Sequence, residues 1–340
     1  MKQPFSVGEV CAAPGSVAHG YLFSAEMRDG SNFGVPVIIV NGSEDGPVLS
    51  IVAGTHPNEQ APMEAIRLLT REVLNPKQIK GALIAIPCAN PLAFQQGEYV
   101  SPSDGMNLYL AYPGDKKGSI TQRIAAAIWE NVGLRSNCVI DFHSNYCPCL
   151  MFSFMAVIDD KATLKKAHGY AKAGGLTIMF ADEKLYPSPG ISGFTDLLLA
   201  KGIPGFTFEV AGSNDIQPDS VAVTVRGVQN VMKAMGMLPG TPEPHKEIKV
   251  LTADYCFYGM VKANRAGLVQ KIAEPGVKLK KGEVIAKIHN LFGEEVEVVK
   301  APLDGYIWSY PLRTPRALPT QAVEAGGNVS YFFVDYQRGF

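Results

Sequence analysis

Over its first 236 residues this chain alternates short apolar runs with stretches of helical spacing, and after a Pro-rich break the alternation stops. Apolar runs that read as strands fall at 33–40, 48–53, 83–86, 138–142, 176–180 and 205–210. Between them, 61–74, 120–132, 160–174, 195–200 and 219–236 place apolar side chains three and four residues apart, as at Met63, Ile66, Leu69 and Val73. Strands alternating with helices predict an α/β domain built on a largely parallel or mixed sheet. A long loop is expected from Asn90 to about Ser119, and such a loop in a compact domain is more often a functional wall than a passive connection.

The break is Pro239-Gly240-Thr241-Pro242-Glu243-Pro244. Beyond it, short β-type runs at 267–269, 284–288 and 305–308 are separated by Pro-Gly, Lys-Gly and Asp-Gly turns, with no helical pattern. Two domains are expected, an α/β domain over 1–240 and an all-β module over 241–340. Residues 274–285 resemble the turn-and-strand repeat of biotinyl/lipoyl-type barrels. The Met-Lys hairpin that carries the cofactor in those modules is not found, so no attachment is expected.

With 46% hydrophobic and 19% charged residues in 340, the chain has ample material for a core. A net charge of −1 gives no reason to expect nucleic acid or an anionic membrane as partner. The stretch Met1-Lys2-Gln3-Pro4-Phe5 lacks the apolar core of a signal peptide, and no apolar run is long enough to span a bilayer. The six scattered cysteines then read as free thiols of a cytoplasmic protein. Cys147-Pro148-Cys149 lacks the usual Cys-x-x-Cys spacing and reads as two small side chains near a site.

Three polar interruptions of apolar runs carry the chemistry. Gly54-Thr55-His56-Pro57-Asn58-Glu59 follows the run at 48–53, and His and Glu three residues apart can share one face of a turn or first helical turn. By itself this pair is a weak signal and reads first as a helix N-terminus, with Glu59 near the dipole and His56 solvated. Asp141-Phe142-His143 puts a histidine at the end of another buried run, where ligand-binding groups of open α/β sheets collect. Two histidines, one carboxylate and an open fourth position make the composition of a hydrolytic zinc site. Glu209, at the end of the run 205–210, is costly to bury and reads either as an edge-strand residue or as a general base/acid beside the metal.

Taken in order, His56-x-x-Glu59, Asn90-Pro91, Asp104-Gly105, Tyr112-Pro113-Gly114, Asp141-Phe142-His143 and Glu209-x-x-Gly212 resemble the succinylglutamate desuccinylase/aspartoacylase family, over nearly the whole chain. The resemblance implies a zinc carboxypeptidase-like mixed sheet flanked by helices, with the C-terminal β module appended. It implies one Zn2+ per subunit held by His56, Glu59 and His143, and Glu209 as general base/acid in hydrolysis of a small N-acyl compound. An arginine that assists in the family falls on Arg67.

One departure concerns the substrate. The family's loop reads Asp-Gly-x-Asp-Leu-Asn-Arg, and its Asn-Arg pair grips a substrate carboxylate. That pair falls here on Tyr109 and Leu110, which cannot replace a bidentate guanidinium. Either another cation supplies the grip, with Arg123 and Arg313 as candidates, or the substrate end is neutral, apolar or aromatic. Asn107, Tyr109, Leu110, Tyr112 and Tyr146 are the loop residues expected around it. Asp141 is placed either to orient His143 or simply to end its strand. Two rival readings stand beside the deacylase, a metallocarboxypeptidase-type peptidase and a non-catalytic zinc-binding homologue. A homo-oligomer is compatible with the exposed sheet edges expected.

Overall fold

The apolar runs pair into one twelve-stranded sheet, seen in a computed structural model that describes residues 2–186, 193–312 and 320–337. In chain order the strands are β1 (Phe5–Val7), β2 (Val10–Ala12), β3 (Ser16–Glu26), β4 (Asn32–Asn41), β5 (Glu44–Val52), β6 (Lys80–Ile86), β7 (Cys138–Asn145), β8 (Phe152–Ala156), β9 (Thr177–Ala181) and β10 (Gly205–Ala211). They continue as β11 (Asp254–Lys262), β12 (Gly267–Lys271), β13 (Lys278–Leu279), β14 (Val284–His289), β15 (Glu295–Lys300), β16 (Gly305–Ile307), β17 (Ala322–Val323) and β18 (Asn328–Asp335). The helices are α1 (Gln60–Leu68), α2 (Pro91–Gln96), α3 (Ile120–Asn131), α4 (Lys161–Gly174), α5 (Phe194–Ala200) and α6 (Pro218–Ala234).

The large sheet runs β13-β16-β18-β11-β9-β8-β10-β7-β5-β6-β4-β3. Its interior pairs β7–β10, β5–β7, β5–β6, β8–β9 and β9–β11 are parallel, and β8–β10 and the outer pairs are antiparallel. This is the mixed α/β sheet that alternating strands and helices require. Beyond residue 250 the described chain is all-β, as its turns dictate, but its strands divide. Strands β15-β14-β12-β17 form an antiparallel sheet of their own, whereas β11, β18, β16 and β13 extend the large sheet through the parallel β9–β11 pair. Hydrogen bonding therefore continues across the Pro-rich stretch.

Period-two alternation sorts the sheet's two faces. Leu49, Ile51, Ile140, Phe142, Phe206, Phe208 and Val210 belong to one core with Ile66 of α1, Leu164 of α4 and Val228 of α6. Val52, Ile84, Ile86 and Val139 belong to the other with Ile124 and Ile128 of α3 and Phe194 and Leu198 of α5. Each fully buried ring or branched side chain contributes about 1.5–3 kcal/mol. The α4 and α6 backbones come down onto Phe208 at glycines: a Cβ on Gly174 would stand 2.5 Å from the ring and one on Gly227 2.7 Å. Phe208 is thus clamped, and with it the strand position next to Glu209.

The stretch 61–74 is helical, but α1 ends at Leu68 and a π-helical turn, Leu69–Val73, finishes it. The sequence reading passed over β3 and β8. In β3, exposed and buried residues mix because it is the sheet's edge, and β8 is only five residues long. Among the described residues no helix is long and apolar enough to cross a membrane.

Candidate active site

After β5 the chain turns at Gly54, whose φ of +67° favours glycine and whose missing Cβ would stand 2.8 Å from the Cys88 Cα. The carbonyls of Ala53 and Gly54 accept the N–H groups of Ala89 and Asn90 at 2.8 and 3.0 Å, clamping this loop to the segment after β6. The His56 carbonyl then accepts the Glu59 N–H at 3.0 Å, and α1 begins at Gln60. His56 and Glu59 therefore share a turn just ahead of the helix.

Strand β7 supplies the next groups. Ile140 and Phe142 enter the α1/α4/α6 core, so Asp141, His143 and Asn145 fall on the opposite face. Glu209 on β10 is the register partner of His143, and Thr207 that of Asp141. The Asn145 amide donates to Glu209 Oε2 at 2.6 Å.

His56, Glu59 and His143 are all buried, and each offers one ligand atom within 4.8 Å of the others. His56 Nδ1 is 3.1 Å from Glu59 Oε1, His143 Nδ1 is 3.0 Å from Glu59 Oε2, and the two Nδ1 atoms are 3.2 Å apart. Donors about 2.0–2.1 Å from a tetrahedral ion stand about 3.3–3.4 Å apart, so the spacing fits a single metal ion. The tautomers agree. His56 Nε2 donates to Asn107 Oδ1 at 3.0 Å, an oxygen that also accepts the Tyr109 N–H. His143 Nε2 donates to Asp141 Oδ2 at 3.2 Å. When neutral, each ring therefore directs its Nδ1 lone pair at the shared centre.

The electrostatics favour positive charge at this centre, and without an ion a proton on His143 supplies it. Burial alone would raise the Glu59 pKa, but His56 and His143 hold it at about 2. Burial works against charge on His143, yet Asp141 and Glu59 override it and hold its pKa well above the ordinary value.

A cavity of about 260 Å³ opens onto this centre, and no Lys or Arg is among the described residues lining it. Tyr99 stacks on His56 with ring centroids 3.9 Å apart and planes 11° apart, and Tyr109 meets His143 edge-on at 5.4 Å. Burial, then the carboxylates of Asp196, Asp141 and Glu209, push the Tyr109 phenol far up, so it stays protonated and able to donate. The loop bearing Asn107 and Tyr109 is held by Asp104, which accepts the Thr121 N–H and hydroxyl at the start of α3 and the Met106 N–H.

The family model for the succinylglutamate desuccinylase/aspartoacylase catalytic domain matches residues 45–235. The chain belongs to the succinylglutamate desuccinylase/aspartoacylase family. A curated relative, the N-alpha-acetyl-L-2,4-diaminobutyric acid deacetylase of Halomonas elongata, is 28% identical over 300 residues, 86% of each chain. The crystal structure of the succinylglutamate desuccinylase/aspartoacylase from Rhodobacter sphaeroides shares the fold with a TM-score of 0.80 at 23% identity, covering 94% of this chain and 96% of that one. The product-bound ectoine utilization protein EutE (DoeB) of Ruegeria pomeroyi does so with 0.79 at 21% identity, covering 98% and 100%.

Of the residues that the family resemblance pointed to, His56, Glu59, His143, Glu209, Asn107, Tyr109 and Tyr146 line one cavity. Three do not. Arg67 is on the outer side of α1, where its guanidinium is held by Glu64 and Glu72 at 2.7–2.8 Å. Leu110 is exposed, and Tyr112 is buried against Phe194 at 4.5 Å. Arg123 donates to the Gly118 carbonyl, and Arg313 lies outside the described residues. Reading the sequence missed Tyr99 and Asn145. Asn145 had a signal, because it stands two residues past His143 on the same strand face. Tyr99, in a loop, had none.

Proposed function

We propose that this protein is a zinc-dependent hydrolase that cleaves the amide bond of a small N-acyl compound. The observation that carries the reading is the convergence of His56, Glu59 and His143 on one point, with Glu209 on the adjacent strand in register with His143. The deacetylase activity named for the Halomonas elongata relative supports it. His56 and His143 would hold the ion through Nδ1 and Glu59 through its carboxylate. Zinc at that position supplies Lewis acidity, polarising a carbonyl and lowering the pKa of water.

The remaining work falls to the chain's own groups. Glu209, fixed by Asn145 at 2.6 Å, takes the proton of the attacking water and returns it to the leaving amine, the balance that amide hydrolysis requires. Tyr109, a protonated phenol lining the cavity, supplies a hydrogen-bond donor to developing negative charge. Asp141 orients His143, and Asn107 orients His56. Because Tyr109 and Leu110 stand where the family's Asn-Arg pair would be, the substrate departs from a carboxylate gripped at that point.

The test is metal content and turnover together. Purified protein is expected to carry one equivalent of zinc and to hydrolyse N-acyl amines, and His56→Ala to lose the metal. Full zinc stoichiometry in that variant would remove His56 from the ligand set.

A further inference from the structure

The register that places Glu209 also decides what stands beside it. Phe152 on β8 is the antiparallel partner of Glu209, and Phe154 that of Thr207. Neighbouring strands lie about 4.8 Å apart, so aromatic surface begins one strand away from the carboxylate. Phe257 and Met260 on β11, Trp308 just past β16 and Tyr331 on β18 continue the same cavity wall. The rings interlock, with Trp308 at 4.7 Å from Phe152, 5.2 Å from Phe257 and 4.6 Å from Tyr331.

Two features distinguish this wall from ordinary core packing. Phe152, Phe257 and Trp308 are at most 7% exposed and make its floor, whereas Phe154 and Tyr331 are half-buried and Met260 is 37% exposed. Apolar surface is thus left at the cavity. The second feature is a β-bulge. Strict alternation along β11 would put Met260 on the side of Tyr258, away from Phe257. Instead Gly259 adopts φ +145° and the pairing shifts between Phe257 and Gly259, so Met260 comes opposite Tyr331 as Phe257 is opposite Phe333. Bulges beside active sites re-aim side chains in this way, and a thioether adapts well to the edge of a ring.

We propose that this wall is a specificity subsite for a ring-bearing, uncharged group, and that the substrate class is an N-acyl compound with an aromatic group flanking the scissile amide. The proposal rests on the hydrolase reading above. A cavity of about 260 Å³ suits one ring and one amide, and is smaller than the ~300–1,000 Å³ of pockets for drug-sized ligands.

The experiment measures kcat/KM of the zinc-loaded full chain for N-acetylbenzylamine, with the ring on the amine side, and phenylacetyl methylamide, with the ring on the acyl side. N-acetylbutylamine and N-acetyl diaminobutyrate are the ring-less comparisons. At least one ring-bearing amide should exceed both by roughly tenfold or more, and the arm that does so fixes the side. Phe154→Ala and Met260→Ala, both at partly exposed positions, should each lower the ring-to-butyl ratio by a similar factor. Preference for the ring-less or charged amide, or an unchanged ratio in both variants, overturns the proposal while leaving the hydrolase intact. If no amide is cleaved, calorimetric titration of the Glu209→Gln protein with the ring-bearing amides decides separately. Binding weakened by Phe154→Ala would keep the subsite and sink the hydrolase, and no binding would sink the subsite.

Discussion

Replacing Asp141 by Asn tests how His143 is presented to the metal. Asp141 is 1% exposed, its Oδ2 accepts the His143 Nε2–H at 3.2 Å, and its Oδ1 has no hydrogen-bond partner among the described residues. The carboxylate can only accept, so it fixes the proton on Nε2 and leaves the Nδ1 lone pair facing Glu59 and His56. An Asn amide also has a donating side. Turned towards His143, that side forces Nε2 to accept and puts the proton on Nδ1, where it blocks coordination. Turned the other way, its carbonyl holds the ring but lends it less basicity. Loss of such a partner weakens metal binding about 10–100-fold, equivalent to about 1.4–2.7 kcal/mol. Competition against a chromophoric chelator at neutral pH, with circular dichroism to confirm folding, measures the change. Wild-type zinc affinity in Asp141→Asn would refute both the tautomer and the assignment of His143 Nδ1 as the ligand atom.

Two further outcomes follow from the neighbourhood of Tyr109. Gly193 has an ordinary φ, but a Cβ there would stand 2.3–2.4 Å from the Tyr109 ring and hydroxyl. Gly193→Ala is expected to displace the ring from His143, costing about 1–3 kcal/mol in urea unfolding and roughly tenfold or more in kcat/KM; wild-type kinetics would show that the ring's position is immaterial. Asp196, which accepts the Gly193 and Ala156 N–H groups, is pushed by burial up to about 7. In the unfolded chain it ionises near 4, so between pH 4 and 7 the unfolded state has lost a proton that the folded state keeps. Stability therefore falls as pH rises through that window, by an order-of-magnitude ~4 kcal/mol once the cost is complete. Asp196→Asn should flatten that fall in urea unfolding at pH 5 and pH 8, and identical slopes in the two proteins would contradict it.

What was legible in the sequence, and what was not, divides along locality. Interior strands β5, β7 and β10 were readable because they are buried on both faces and so nearly all apolar, which made His143 and Glu209 visible as expensive exceptions. The loop after Asn90 was readable as a functional wall but not in its aim. Leu108–Leu110 is a 3-10 turn, which sets successive residues about 120° apart, so Tyr109 faces the cavity while Leu110 faces solvent. Arg67 has helical neighbours Glu64 and Glu72 that hold it on the surface, a local pairing that the family resemblance overshadowed. The aromatic wall was not readable at all. Phe257, Trp308 and Tyr331 line the same cavity as Glu209 through the pairing of β11 with β9, residues about 75 positions apart in sequence, and such non-local pairing leaves no local pattern. The bulge at Gly259 is likewise invisible without its partner strand.

The division of labour between metal and base is tested most directly by Glu209→Gln. The substituted amide can still accept from Asn145 and fills the same volume, but it cannot take a proton from water. The variant is expected to retain one equivalent of zinc and to lose about 10²–10⁴ in kcat for any amide that the wild type cleaves. Wild-type turnover with zinc in place would contradict the role assigned to Glu209, and loss of zinc along with activity would contradict its separation from the His56, Glu59 and His143 ligand set.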